Sequence, residues 1–207
     1  MTSTTTTLPE RPVAIVTGAS RGIGRAIARR LAERYDVVAV ARDAEALRAL
    51  AAEIHADGGH CRPLPLDLAD GARVERELTG EQAEVLVNNA GIGIMKPLVE
   101  LSPEEWKAQL DVNVNALYHA TRAVLPGMLA RGRGHVLTIG SLAGRNAFAG
   151  GTAYTGSKHF VLGFSESLML EVRDRGVKVS VVMPGSASCA RCWRWSGRTG
   201  SGCSTST

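Results

Sequence analysis

The chain has 207 residues, 44% of them apolar and 4% aromatic, which suits a single domain with one large core. Its net charge of +4 depends on Arg191, Arg194 and Arg198, so the remainder is nearly neutral and offers no basic surface for nucleic acid. The sequence shows no apolar run long enough for a membrane span, no signal-peptide pattern and no disulfide framework, and we therefore expect a cytoplasmic protein.

Short β-rich runs alternate with helical patterns along the chain. The predicted strands are VAIVT (13–17), DVVAVA (36–41), CRPLPL (61–66), EVLVNN (84–89), GHVLTIGS (134–141) and VKVSVVMPG (177–185), and the predicted helices cover about 22–34, 43–57, 69–79, 103–131 and 152–174. This alternation predicts right-handed βαβ units and an α/β fold with a doubly wound, Rossmann-type parallel sheet. We expect the strand order 3-2-1-4-5-6, with a seventh strand missing.

Three regions follow from this pattern. Residues 1–11 read as a polar N-terminal extension, residues 12–186 as the Rossmann-type domain, and residues 187–207 as an irregular tail without periodicity. Such a tail is expected to be disordered.

The first strand runs into TGASRGIG (17–24), which opens a helix. Here Gly18 permits a tight turn, Gly22 permits close backbone approach, and Gly24 lets the helix pack on the strand. A pyrophosphate would then sit on the helix N-terminus, which favours a cofactor loop over a plain turn. The predicted cofactor-binding residues of this loop are Gly18, Ser20, Arg21, Gly22, Ile23 and Gly24.

The end of the second strand tests the choice of cofactor. An acidic residue there would bind the ribose 2′-hydroxyl of NAD, but the strand ends in Ala41 and Arg42. Asp43 is interpreted as the N-cap of the next helix, and Arg21 is a second candidate for a 2′-phosphate. We therefore predict NADP(H) in preference to NAD(H), the alternative being that both arginines are solvated surface residues.

A helix predicted over 103–131 begins with SPEE, in which Ser102 is the N-cap, Pro103 fits the first turn and Glu105 completes a capping box. Further on, AYTGSK places Tyr154 and Lys158 four residues apart, on one face of a helix.

Ser141 stands at the carboxyl end of the fifth strand, thirteen residues before Tyr154. Ligands of such sheets bind beyond the carboxyl ends of the strands. The three side chains therefore form a candidate catalytic group.

With these motifs the chain resembles the classical short-chain dehydrogenase/reductase family over residues 12–185, and in particular members such as 3-oxoacyl-[acyl-carrier-protein] reductases. The TGASRGIG loop, NNAG (88–91), Ser141 and the Tyr154–Lys158 pair stand in the family's order and spacing. Asn113 matches the position of a catalytic asparagine, and Asp67 matches an aspartate near the adenine, although Asp67 also reads as a helix cap.

The resemblance implies an NADP-dependent oxidoreductase that acts on a small carbonyl or alcohol substrate. Tyr154 would be the acid or base and Lys158 would favour its phenolate, while Ser141 would bind the substrate oxygen and Asn113 would hold a water. Further residues implied for the cofactor are Asp67, Leu68, Asn89, Ala90, Gly91, Tyr154, Lys158, Pro184 and Gly185. For Asn88 a purely structural role stays open beside a direct contact.

The resemblance also implies a homodimer or homotetramer that forms through the helices near 103–131 and 152–174. In the second helix, Ala153, Phe160, Phe164 and Leu168 form a candidate contact stripe, with packing on the sheet as the alternative for some of them.

A metal site is not expected. His119, His135 and His159 follow no ligand spacing, and CARC (189–192) has no second ligand pair.

The tail PGSASCARCWRWSGRTGSGCSTST (184–207) departs from the family, whose members continue with a substrate-covering loop and a seventh strand. A shifted reading frame near Ser186 is favoured over an evolved tail. Two functions follow: an NADP-dependent carbonyl reductase, or a catalytically impaired cofactor-binding remnant that is unstable or acts only by associating with intact relatives.

Overall fold

The computed structural model describes residues 11–185 of the chain. The tail predicted over 187–207 and the shifted frame expected near Ser186 lie outside the described residues, as does most of the predicted N-terminal extension.

The described residues form one sheet of six parallel strands. These are β1 (Val13–Thr17), β2 (Asp36–Ala41), β3 (His60–Pro65), β4 (Ala83–Asn88), β5 (Gly134–Ile139) and β6 (Val177–Val182). The order across the sheet is β3-β2-β1-β4-β5-β6, which confirms the predicted Rossmann-type fold and its strand order. In the register, Val13 lies opposite Asp36 and Thr17 opposite Val40, so β1 and β2 end side by side. The segments that follow the strands therefore meet at one edge of the sheet.

Within residues 11–185, six α-helices cover the two faces of the sheet. They are α1 (Gly22–Leu31), α2 (Ala44–Ala56), α3 (Gly71–Leu78), α4 (Pro103–Leu110), α5 (Ala116–Arg131) and α6 (Thr152–Val172). None of the helices within residues 11–185 combines the length and apolarity that crossing a bilayer requires.

The core has two layers because side chains alternate between the faces of each strand. On one face, Ile15 and Val40 pack with α3, α5 and the end of α6. On the other, Val16 and Ala39 pack with α1 and α2. Burial on both faces explains why the strands read as continuous apolar runs.

The helix predicted over 103–131 is interrupted. A π-helical turn, Asp111–Asn115, separates α4 from α5, although α4 has the predicted capping box of Ser102 and Glu105. Such turns carry an extra residue and are frequent at functional sites. This one contains Asn113, whose side chain bonds to the segment after β4.

Candidate active site

The loop between β1 and α1 has the backbone that its glycines permit. Gly18 has φ of 66° and Gly22 has φ of 56°, values that side chains other than glycine rarely adopt. A Cβ atom on Gly24 would lie 2.3 Å from the Gly18 carbonyl oxygen and from the Asn89 side-chain nitrogen. The predicted close packing at Gly24 is therefore present.

The N-terminus of α1 is open to an anion. Arg21 occupies the N-cap position but its side chain makes no capping hydrogen bond, and the first turn has no acidic residue. The first backbone N–H groups of a helix have no partner within the helix and carry a partial positive charge. A phosphate group fits this position without displacing a side-chain cap.

A cavity of about 640 Å³ extends from this loop along the carboxyl ends of the strands, a volume within the range of cofactor sites. Twelve residues predicted from the sequence line it: Gly18, Ser20, Arg21, Gly22, Ile23, Gly24, Arg42, Asp67, Leu68, Asn89, Ala90 and Gly91. It is completed by Ala41, Asp43, Leu66, Ile92 and Val112. The other four predicted cofactor residues, Tyr154, Lys158, Pro184 and Gly185, do not line this cavity.

At the end of β2 the cavity has a basic wall. The Asp43 carboxylate accepts a hydrogen bond from the Ala46 backbone N–H at 3.0 Å, which confirms its predicted role as the N-cap of α2. Within residues 11–185, neither Arg21 nor Arg42 has an ion-pair partner. Both guanidinium groups are thus available to a phosphate. The N-cap of α3 is Asp70 and not Asp67. The Asp67 carboxylate instead accepts a hydrogen bond from the Ala69 N–H.

Thr17, the first residue of the cofactor loop (17–24), is hydrogen-bonded to the segment after β4. The sequence did not reveal this role. The Thr17 hydroxyl accepts hydrogen bonds from the backbone N–H groups of Asn89 and Ala90, at 3.0 and 3.1 Å. Asn88 faces the helices instead, because its side-chain nitrogen donates to the Thr121 hydroxyl at 2.9 Å. This contact favours a structural role for Asn88.

Tyr154 and Lys158 occupy the first turns of α6, as predicted. Lys158 is 7% exposed, and its Nζ donates to the Ile139 carbonyl oxygen at 3.2 Å. The ammonium lies 5.9 Å from the centre of the Tyr154 ring. Burial lowers the pKa of Lys158 to about 8, because removing the ammonium from water disfavours its charged form.

Ser141 follows β5 and begins a short 3₁₀ turn, Leu142–Gly144. Its hydroxyl oxygen accepts from the Ala143 N–H at 3.1 Å, so its proton remains to be donated elsewhere. The Leu142 N–H donates to the Pro184 carbonyl at 3.1 Å, which places the end of β6 beside this turn.

Asn113 links the active-site segments. Its side-chain oxygen accepts from the Ile92 N–H at 2.8 Å, and its nitrogen donates to the Ile92 carbonyl at 2.9 Å and to the Ser157 hydroxyl at 3.0 Å. Ser157 in turn donates to the Tyr154 carbonyl at 2.7 Å. Ser157 stands between Tyr154 and Lys158 in the sequence. Its part in this network follows from its contacts and not from any sequence motif.

The three histidines considered as metal ligands do not line the cofactor cavity. His119 pairs with Glu75, His135 with the Ser180 hydroxyl, and His159 with the Thr155 carbonyl. Within the described part of the chain, no three potential metal-binding side chains lie together.

A cavity of this volume at the carboxyl ends of β1, β2 and β4, with a glycine-rich loop that opens a helix, is typical of a dinucleotide-binding protein. The sequence profile of short chain dehydrogenases matches residues 12–195, and the chain belongs to that family. The resemblance seen in the sequence is thereby confirmed.

Characterised relatives agree with this assignment. The chain is 39% identical over 180 residues to the NADP-dependent 3-hydroxy acid dehydrogenase YdfG of Salmonella typhi, covering 84% of this chain and 71% of the relative. It is 38% identical over 182 residues to the 3-oxoacyl-[acyl-carrier-protein] reductase FabG of Escherichia coli K12, covering 85% and 73%. Among solved structures, a metagenomic short-chain oxidoreductase in complex with NADP has a TM-score of 0.82 and 46% identity, covering 86% of this chain and 83% of that one.

Proposed function

We propose that the chain transfers hydride reversibly between NADP(H) and a carbonyl or alcohol substrate, with Tyr154 as the acid and base. The observation that carries this proposal is the Tyr154–Lys158 pair, held on one face of α6 beside the segment that lines the cavity. The family, which consists of oxidoreductases, supports the reaction class.

NADP(H) is the favoured cofactor. The relatives named above include an NADP-dependent dehydrogenase and a structure in complex with NADP. In this chain, Arg42 and Arg21 line the cavity without ion-pair partners within residues 11–185, while the small Ala41 side chain leaves room. A 2′-phosphate would meet two cations there, and the Asp43 carboxylate, which also lines the cavity, is hydrogen-bonded to the Ala46 N–H at the start of α2.

The residues present fit a dinucleotide in three places. The backbone of the Gly18–Gly24 loop and the N-terminus of α1 would hold the pyrophosphate, and Arg42 would hold the 2′-phosphate. Asp67 and Leu68 line the cavity beyond β3, where the adenine would lie. When bound, the nicotinamide supplies or accepts the hydride.

The chain's own residues would donate the proton to the substrate oxygen and replace it afterwards. During reduction, the Ser141 hydroxyl would donate a hydrogen bond to the carbonyl oxygen, and Tyr154 would give that oxygen its phenolic proton. Lys158 in its ammonium form would stabilise the resulting phenolate. Lys158 would then pass a proton to the phenolate. Asn113 and Lys158 both line a cavity of about 10 Å³, close to the smallest volume that holds one water, and a water there would return a proton to Lys158.

The substitution Tyr154→Phe tests this assignment. It removes the transferable proton and little else, so we expect ketone reduction to fall by at least about 10²-fold while NADPH affinity stays nearly unchanged. Ketone-dependent oxidation of NADPH and fluorescence titration of the cofactor measure the two effects. A variant that keeps most of the parent's turnover would assign the acid to another group. A parent that binds NADPH without reducing any ketone would instead favour the impaired remnant.

The substitution Arg42→Ala tests the preference for NADP(H) over NAD(H). Losing one charged contact to the 2′-phosphate should weaken NADPH binding by about 10-fold or more and leave NADH binding nearly unchanged. Both affinities can be titrated in the parent and the variant. Equal affinities in the parent, with no effect of the substitution, would contradict the preference for NADP(H).

We also propose a homodimer or homotetramer that forms through α5 and α6. An apolar groove of about 560 Å³ runs between these helices, and Leu125, Leu129 and Phe164 line it. Of the predicted contact stripe, Ala153 and Leu168 are buried within the subunit, in line with the alternative of internal packing, and Leu168 also lines this groove. Phe160 is exposed, whereas Phe164 is half-buried and packs against the core, and their rings stack 5.7 Å apart.

A further inference from the structure

Gln109 is a buried polar side chain that the reaction scheme does not use. It is 0% exposed in α4, and its Oε1 accepts a hydrogen bond from the Ile94 backbone N–H at 2.5 Å. Its Nε2 has no hydrogen-bond partner within the described residues. An unpaired buried amide donor costs about 1–3 kcal/mol, so an apolar side chain of equal length would be the more stable choice if packing alone decided.

Gln109 is the middle one of three side chains that hold the segment 92–96, which follows the NNAG motif. These side chains stand four residues apart along α4 and the π-helical turn. Asn113 bonds to Ile92, Gln109 bonds to Ile94, and Glu105 pairs with Lys96.

The spacing of these contacts matches the rise per residue of a helix on one side and of an extended chain, residues 92–96, on the other. Four helical residues advance by about 6 Å. Two residues of an extended chain advance by about 6.6 Å. Burial alternates along the segment, with Ile92 and Ile94 half-buried and Gly93 and Met95 exposed, as an extended chain requires. The segment therefore runs antiparallel to α4, with one contact at every second residue.

The held segment lies against the candidate catalytic residues. A Cβ atom on Gly93 would be 3.6 Å from the Cδ2 and Cε2 atoms of Tyr154. A Cβ atom on Gly91 would be 3.6 Å from the Lys158 Nζ. The backbone of the segment thus runs past both side chains, and a shift of the segment would change the space beside the Tyr154 ring.

We propose that Gln109 is a positioning residue, which holds Ile94 so that Gly93 keeps the Tyr154 ring in place for proton transfer. This proposal rests on the proposed function of Tyr154. Misplacing a reacting group by 1 Å can lower a rate by about 10²-fold, and the two outer contacts would remain in a Gln109 variant. The loss expected for Gln109 alone is therefore smaller, about 10-fold in kcat.

A matched pair of variants isolates the acceptor oxygen. Gln109→Met keeps the length of the side chain and removes the acceptor, whereas Gln109→Glu keeps an oxygen for the Ile94 N–H. Lys107→Met places the same new residue on the exposed face of α4 and serves as the control. Amide hydrogen exchange over 92–96, kcat for a ketone, NADPH affinity and the unfolding midpoint are measured for each.

In Gln109→Met we expect faster exchange over 92–96 and a kcat lower by about 10-fold, with NADPH affinity changed by less than about 2-fold. Cofactor affinity should persist because Ile94 does not line the cofactor cavity. The unfolding midpoint should change little, since the variant removes the unpaired Nε2 but leaves the Ile94 N–H without its acceptor. Gln109→Glu should restore exchange and kcat in part, because it returns an acceptor oxygen but buries a carboxyl group. Lys107→Met breaks only an exposed ion pair with Asp111 and should stay close to the parent.

Unchanged exchange over 92–96 in Gln109→Met would overturn the proposal, as would faster exchange with unchanged kcat. A fall in kcat that follows only a fall in stability would assign Gln109 a structural role. A parent that reduces no ketone would contradict the proposed function. The exchange comparison would still decide whether Gln109 holds the segment.

Discussion

Lys158 keeps an ammonium group where water scarcely reaches it. Within the described residues its one hydrogen bond is to the Ile139 carbonyl, and burial lowers its pKa to about 8. A buried cation without a carboxylate partner destabilises a fold, so stability alone does not explain a lysine here. Its place beside Tyr154 supplies a functional reason.

We predict that Lys158→Met stabilises the chain at pH 7 by about 2–3 kcal/mol and abolishes turnover. The effect should depend on pH. The folded parent loses the Lys158 proton near pH 8, whereas the unfolded chain loses it near 10.4. Between these values the unfolded state binds more protons, so the parent's free energy of unfolding rises with pH and the advantage of the variant shrinks.

Denaturant unfolding of parent and variant at pH 7, 8, 9 and 10 measures this difference. A Met variant that is less stable than the parent at pH 7 would contradict the prediction, as would a stability difference that does not change with pH.

The sequence could predict where Ser141, Tyr154 and Lys158 stand, because periodicity locates a strand end and one face of a helix. Their catalytic roles rest on the family resemblance and stay predictions. The sequence could not predict Gln109 or Ser157. Their contribution consists of contacts with segments that are distant along the chain or on the other side of the site, and no local pattern encodes such contacts.

At the scale of elements, all six strands could be predicted, because burial on both faces leaves an unambiguous apolar run. The π-helical turn could not, since one extra residue in a helix barely disturbs a hydrophobic pattern of 29 residues (103–131). The turn is explained only by the bonds of Asn113 to Ile92, which form between two elements.

The start of α3, like the π-helical turn, is explained by its contact with another element, here α5. Gly71 is the first residue of α3, and a Cβ atom there would lie 2.2 Å from the Nε2 of His119 on α5. The Nδ1 of His119 lies 2.8 Å from a Glu75 carboxylate oxygen, and this hydrogen bond lowers the pKa of Glu75. The imidazole ring is thus held directly over the start of α3.

We predict that Gly71→Ala destabilises the chain by about 1–3 kcal/mol, because the new methyl group must displace the His119 ring. Helix propensity alone predicts the opposite sign, since alanine is better than glycine by up to about 1 kcal/mol. In a His119→Ala background the same substitution should be neutral or stabilising. Denaturant unfolding of the four chains gives the coupling energy, and additive effects would show that the ring is free to move.

For the molecule as a whole, the described residues present two distinct surfaces. The carboxyl ends of the strands carry the cofactor cavity and the candidate catalytic residues, while α5 and α6 expose an apolar groove away from them. Arg122, Glu171 and Arg175 stand among the groove's lining residues and give it a polar rim. An apolar centre with a charged rim is typical of a subunit interface.

We predict that Ala130→Glu dissociates the proposed oligomer without unfolding the subunit. Ala130 is exposed at the groove, and glutamate is nearly as good a helix former as alanine, so the isolated subunit should tolerate it. In an assembled pair the new carboxylate would be buried against apolar side chains, which should weaken association by at least about 10-fold. Ala52→Glu on the exposed face of α2 is the matched control and should leave the oligomer intact. Light scattering and sedimentation over a range of micromolar concentrations distinguish the cases. A parent that is already monomeric there would rule out the interface, and an Ala130→Glu chain that stays dimeric would place the interface on another face.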